Sequence, residues 1–259
     1  MKPRLAVFKF ASCDGCQLQV LNAGEQLLAL AGAADIAYFP EASSRARPGP
    51  YDIALVEGSI TTAADAERIV RVRADSRLLV TIGACATAGG IQALRNWSDV
   101  EEYKRAVYPH PEWVAALATS TPIAAHVRVD YELWGCPIDV GQLLTVLRAL
   151  LAGVPPGLPA HSVCLDCKRR GLTCVVVAQG APCLGPVTRT GCGAICPGLQ
   201  RGCYGCFGPS DAPNLEAFTG LLAQQGLTRD EALRRLRGIN GYAPAFRKAG
   251  DAMANESGK

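Results

Sequence analysis

Over residues 1–151 the chain alternates short apolar runs with longer stretches of helical periodicity. "RLAVFKF" (4–10), "ADIAYF" (34–39), "DIALVE" (52–57), "RLLVTI" (77–82) and "IAAHVRVD" (123–130) read as strands. Between them, "QLQVLNAGEQLLALA" places Leu18, Leu21 and Leu28 on one helical face, and "TAADAERIVRVRA" is a second helix. "DVGQLLTVLRALLAG" (139–153) closes the segment as a third. Strands alternating with crossover helices predict an α/β fold, a flavodoxin-like, mostly parallel sheet with helices on both faces.

The pattern changes after "AGVPPGLPAH" (152–161), whose prolines and glycines read as a linker. Residues 162–210 are rich in Cys, Gly and Pro, and "CVVVAQ" is the one strand-like run there. So little apolar surface cannot form a core alone, so bound metal would have to organise this small Cys-rich domain. A helical tail completes it through residue 259; Thr228 and Glu231 in "GLTRDEALRRLRG" form a capping box, and the last ten residues are expected to fray.

Composition narrows the function classes. A net charge of +3 and 6% aromatic residues argue against nucleic acid as a partner. No run approaches the roughly 20 apolar residues of a membrane span, and the apolar stretch in "MKPRLAVFKFASC" is too short for a signal peptide. A cytoplasmic setting is expected. There, twelve cysteines would not persist as disulfides and read as metal ligands or redox groups.

Four of them are scattered: Cys13 and Cys16 after the first strand, Cys85 in "TIGACATAGG" after the fourth, and Cys136 in "WGCPID" after the fifth. Open parallel sheets bind ligands at the carboxyl ends of their strands, so all four project from one rim. Four converging thiolates suit a 4Fe–4S cluster or an all-cysteine zinc site. Structural zinc usually staples two close pairs in a short segment, whereas these ligands lie far apart in a domain with its own core. Gly15, Gly83, Gly89, Gly90 and Gly135 would let backbone N–H groups approach cluster sulfurs. A thioredoxin-like dithiol at Cys13 and Cys16 is the rival, and it leaves Cys85 and Cys136 unexplained.

The other eight cysteines are crowded: 164, 167, 174, 183, 192, 196, 203 and 206. Sequence order suggests Cys164, Cys167, Cys174 and Cys183 for one cluster and Cys192, Cys196, Cys203 and Cys206 for another. Ferredoxin-type runs often lend a ligand to the neighbouring cluster, so spacing leaves the split open. Paired zinc ribbons are the alternative.

"CDGCQ", "GACATAGG", "WGCPID" and "CLGPVTRTGCGAICP…CYGCFGP" together resemble the small, electron-transferring subunit of nickel–iron hydrogenases, over nearly the whole chain to about residue 210. The opening "AVFKFASCDGCQL" resembles the delta subunit of the cytoplasmic, NAD(P)-linked, sulfhydrogenase-type branch. The resemblance implies a proximal cluster on Cys13, Cys16, Cys85 and Cys136, beside the large subunit's nickel–iron site. It places "PCLGPVT", Cys192 and the Cys203–Cys206 pair in the medial-cluster region; periplasmic members have proline near the position of Cys196 and a 3Fe–4S centre, so a full 4Fe–4S medial cluster is expected here. It implies a distal cluster that includes Cys164 and Cys167, where periplasmic members use a histidine in an H-x-x-C pair; His161 is an alternative ligand or a loop residue.

Glu57 in "VEGSI" matches an acid at the large-subunit interface, with a role in potential or proton movement, or else as a capping or solvated carboxylate. Lys168, Arg169 and Arg170 would offset cluster charge, dock a partner, or form a solvated face. The chain lacks a G-x-G-x-x-G after a strand and a phosphate loop, so NAD(P) and FMN or FAD are expected on diaphorase-type flavin and iron–sulfur partner subunits. The implied role is an electron conduit of three 4Fe–4S clusters, with no catalytic residue in this chain. The rivals are an iron–sulfur subunit of a related non-hydrogenase redox complex and a zinc-stabilised interaction protein. Against the respiratory complex I version, whose cysteines are adjacent near the first motif, Cys13 and Cys16 are separated.

Overall fold

A computed structural model describes residues 2–255, and the chain divides into two compact units at Gly157–Leu158. In the first, β1 (Arg4–Lys9), α1 (Gly15–Leu21), α2 (Glu25–Ala33), β2 (Asp35–Tyr38), β3 (Tyr51–Glu57), α3 (Ala63–Ala74), β4 (Ser76–Ile82), α4 (Gly83–Ala88), α5 (Val100–Val107), β5 (Tyr131–Leu133) and α6 (Val140–Leu151) follow in order. The second contains α7 (Val163–Arg169), α8 (Val175–Gln179), α9 (Ile195–Gly198), α10 (Leu215–Gln224), α11 (Arg229–Leu236) and α12 (Pro244–Asn255).

The sheet order is β2-β1-β3-β4-β5, all parallel, which is the flavodoxin-like doubly wound arrangement. β3 lies at its centre, and its apolar run is buried on both faces, as an interior parallel strand requires. Ala6, Phe8, Ala54, Val56 and Leu79 pack with Ile69 and Val72 of α3 on one side. The helices begin where their caps dictate. The Thr62 side chain accepts the Asp65 N–H to start α3, and Asp139 accepts the Gln142 N–H to start α6.

Four expectations from the apolar pattern are corrected. Residues 123–130 are not a strand. Ile123 begins a short 3-10 turn, and Val127 and Val129 bury against the sheet face from coil, while the fifth strand is Tyr131–Leu133. "QLQVLNAGEQLLALA" is two helices, with a turn through Asn22–Gly24, and both Leu18 and Leu28 are exposed. "CVVVAQ" is helical; it has no neighbouring strand to pair with, and its β-branched residues follow local context instead. The tail does not fray at residue 250, because Met253 of α12 packs on the core formed by Leu184, Val187, Phe218, Leu222, Leu236 and Phe246. The expectation for residues 256–259 lies outside the described residues.

Candidate metal centres

The first site lies at the carboxyl ends of β1, β4 and β5. Beyond β1 the chain bridges Ala11 to Ser59 and turns at Asp14, which has a left-handed φ of 65° and is anchored by Lys9 Nζ at 2.6 Å. α1 then starts with no side-chain cap of its own. Glu57 takes that role: Oε1 accepts the Cys16 N–H at 3.0 Å and Oε2 accepts Gln17 Nε2 at 2.7 Å. Glu57 is therefore a buried capping group, 2% exposed, and the solvated reading is excluded. Burial pushes its pKa up, against the hydrogen bonds from Gln17 and Cys16.

Cys85 sits in α4 and Cys136 in the loop between β5 and α6; the Ala84 N–H donates to the Gly135 carbonyl at 2.7 Å and ties the two together. Gln92 ties Cys85 to the first loop, its Oε1 lying 3.4 Å from Cys85 Sγ and its Nε2 donating to the Ala11 carbonyl at 2.8 Å. Two glycines make the sulfurs' positions available. At Gly83, with φ +86°, a Cβ would fall 2.3 Å from Cys16 Sγ; at Gly90, with φ +62°, it would fall 2.6 Å from Cys85 Sγ.

These thiols are brought together. Cys16 lies within electrostatic reach of Cys85 and Cys136, Cys85 of Cys136 and Cys13, and Cys136 of Cys13. Burial, with Glu57 next, pushes the Cys16 thiol far above its ordinary range, and burial pushes Cys85 up to about 11. The grouping of Cys13 and Cys16 with Cys85 and Cys136 argues against the thioredoxin-like reading, which leaves the latter two unexplained. Metal can displace these protons.

In the second unit Cys164, Cys167, Cys174 and Cys183 line one cavity of about 120 Å³, with Leu172 and Val175 among its apolar walls. The helical winding of α8 explains the correction to "CVVVAQ": it turns Val175 and Val176 into this cavity and leaves Val177 85% exposed. Lys168 also lines the cavity. His161 instead has Nε2 3.5 Å from Asp166 Oδ1, and its carbonyl accepts the Thr190 N–H at 2.8 Å.

The remaining cysteines come as two pairs, Cys192 within electrostatic reach of Cys196, and Cys206 of Cys203. Cys183 stands against both sets. Its Sγ accepts the N–H of Gly185 at 3.4 Å and of Cys203 at 3.1 Å, and it lies within reach of Cys164 and Cys196. Burial pushes Cys203 up to about 12. Asn240, in the tail, donates Nδ2 to the carbonyls of Gly205 and Cys206, both at 2.9 Å.

The residues fit an iron–sulfur cluster. None of the twelve cysteines is in a disulfide, the donor set is soft, and backbone amides point at Cys183 and Cys203 sulfurs. Among the described residues no three His, Cys, Asp or Glu side chains are close enough to hold a single metal ion. Gln17, Gln92 and Asn240 support the sites without any spacing signal in the sequence to mark them. No helix among the described residues is long and apolar enough to cross a membrane.

The family model for the NADH ubiquinone oxidoreductase 20 kDa subunit matches residues 13–150. Sulfhydrogenase 2 subunit delta of Pyrococcus furiosus is 36% identical over 234 residues, covering 90% of this chain and 98% of that protein. A subunit of the F420-non-reducing vhu hydrogenase of Methanococcus voltae is 31% identical, covering 90% of this chain and 91% of that protein. A crystal structure of an NAD+-reducing [NiFe]-hydrogenase in the H2-reduced state superposes with a TM-score of 0.57 at 34% identity, over 61% of this chain and 96% of that one. The chain thus belongs to the NADH ubiquinone oxidoreductase 20 kDa subunit family and, within it, to the small, electron-transferring subunits of nickel–iron hydrogenases.

Proposed function

We propose that this subunit relays electrons through three 4Fe–4S clusters between the large subunit's hydrogen-activating nickel–iron site and NAD(P)-linked, diaphorase-type flavin and iron–sulfur subunits, in a cytoplasmic complex. Cys13, Cys16, Cys85 and Cys136 of the sheet domain (1–151) hold the proximal cluster. Beyond the 152–161 linker, in the domain 162–259, Cys164, Cys167, Cys174 and Cys183 hold the distal cluster and Cys192, Cys196, Cys203 and Cys206 the medial one. Bound clusters supply one-electron carriers of tunable potential; the chain supplies their thiolates, the amide hydrogen bonds to them, and dry surroundings.

The observation that carries this reading is the assembly of four chain-distant thiols on one sheet rim, with Gly83 and Gly90 leaving room for two of their sulfurs. The distal set is supported by the cavity that its four cysteines share. The nucleotide-linked partners rest on the likeness to the NAD+-reducing enzyme.

Anaerobically purified protein is expected to be brown and to carry about twelve iron atoms per chain. Stoichiometric zinc without visible absorption would overturn the relay. Hydrogen-dependent reduction of NAD(P)+ by the native complex is expected, and reduction of an artificial viologen but of neither nucleotide would remove the nucleotide-linked partners.

A further inference from the structure

Of the basic run after Cys167, Lys168 is accounted for by the cavity it lines. Arg170 points elsewhere. It follows α7 with its N–H on the Asp166 carbonyl at 3.0 Å, and its guanidinium reaches the turn between Cys192 and Cys196. There Nη1 donates to the carbonyls of Gly193 and Ala194, the latter at 3.3 Å. A Cβ on Gly198 would meet Nη2 at 3.1 Å and Nη1 at 3.3 Å, so the fork also lies against α9.

That turn needs holding. Ala194 is fully buried and has a φ of 56°, a left-handed conformation that is strained for a residue with a Cβ. Two carbonyls gathered on Nη1 oppose its relaxation while Nη2 lies against α9 at Gly198, a two-point contact that a planar guanidinium makes and a compact ammonium does not. Arg170 also follows Cys167 by three residues at the end of α7, a spacing that sets neighbours on one helix face, so its charge stands beside the opposite set of thiols as well.

We propose that Arg170 is a positioning residue shared by the two cysteine sets of the second unit: it fixes the Cys192–Cys196 turn in its ligand-presenting form and places one permanent positive charge beside both sets. The inference rests on the cluster reading above. Reduction adds one electron to a cluster, so a fixed cation nearby stabilises the reduced state and raises the potential. Because guanidinium does not deprotonate in proteins, the effect is independent of pH.

The test uses R170Q and R170K in the full native complex, with redox titration followed by electron paramagnetic resonance and backbone hydrogen exchange over residues 193–196. R170Q removes the charge; the potentials of the two second-unit clusters are expected to fall, while that of the cluster on the first unit stays unchanged. R170K keeps the charge but not the fork. Its potentials are expected to stay near wild type, while exchange at 193–196 accelerates about tenfold or more. Unchanged potentials in R170Q overturn the electrostatic half, and unchanged exchange in R170K overturns the positioning half. If R170Q loses iron, R170K still decides the latter and its retained potentials support the former. A wild-type complex without cluster iron would overturn the relay itself, an outcome separate from any effect of Arg170.

Discussion

The Glu57 carboxylate accepts the backbone N–H of Cys16 at 3.0 Å, joining the end of β3 to the first turn of α1. The carboxylate is buried, and its second oxygen accepts the Gln17 amide. One strand-end acid therefore sets the direction in which a candidate ligand leaves its helix. Glu57→Ala leaves the Cys16 N–H without an acceptor and the Gln17 amide with only Asp14 Oδ1, at 3.5 Å, and is expected to destabilise the first unit by about 2–4 kcal/mol, about 1–3 for the unsatisfied N–H and about 1 for the lost Gln17 bond. Glu57→Gln is expected to cost much less. Gln17 Oε1 is buried with no partner and, after rotation of the amides, can accept from the new side chain. Denaturant unfolding of the two variants checks this; equal losses would show that the charge, not the cap, is what matters.

Gly83→Ala tests the space beside Cys16. The substitution places a Cβ 2.3 Å from Cys16 Sγ in a residue with φ +86°. The thiol has to move, and the first cluster is expected to be lost while the second unit keeps its own. Iron analysis then reads about eight atoms per chain rather than about twelve. Full iron content in the variant would show that Cys16 is not confined by Gly83.

The apolar pattern predicted the sheet because β1, β3 and β4 are buried runs bounded by turns, and the rim because cysteines directly follow three strand ends. The fifth strand was misplaced for a physical reason: Ile123, Val127 and Val129 are apolar because they cover the sheet face from coil. Leu18 and Leu28 satisfied a helical period but face outward, since a turn through Asn22–Gly24 separates their helices. Gln92 and Asn240 were illegible because each acts on a segment far from it in sequence, and their residue types carry no periodic signal; Arg170 was marked by its basic run, but its bonds to the Gly193 and Ala194 carbonyls were not.

Asp130 anchors the start of β5 and gives a pH dependence. Its Oδ2 accepts the Leu79 N–H at 2.8 Å and Arg73 Nη1 at 2.6 Å. Burial opposes ionisation, but the Leu79 N–H and Arg73 outweigh it and hold the pKa below the usual carboxylate value. A depressed native pKa means that the unfolded chain binds the proton more readily. The stabilisation is thus present above the unfolded value of about 3.9 and is lost as pH falls through the lower native value. Asp130→Asn is expected to lose about 1–3 kcal/mol near neutral pH. The gap in thermal midpoint between variant and wild type narrows below about pH 4. A gap that is constant down to strong acid would remove the ionic contribution.

Asn240 links the helical tail to the loop that carries Cys203 and Cys206. It is 2% exposed, and its Nδ2 holds two carbonyls of that loop while its Oδ1 has no partner. Asn240→Ala removes both bonds at a cost of about 1–3 kcal/mol. Asn240→Asp is expected to be worse, since it turns a carboxylate oxygen toward two carbonyl oxygens. A comparison variant separates this clamp from general loosening of the tail. Thr228→Ala breaks the capping box of α11, where the Thr228 N–H reaches Glu231 Oε2 at 2.8 Å, and costs about 1 kcal/mol. Hydrogen exchange over residues 203–206 is expected to accelerate in both Asn240 variants and to stay at wild-type rates in Thr228→Ala. Equal acceleration in all three would mean that the tail stabilises the loop through packing alone, with no distinct contribution from the Asn240 amide.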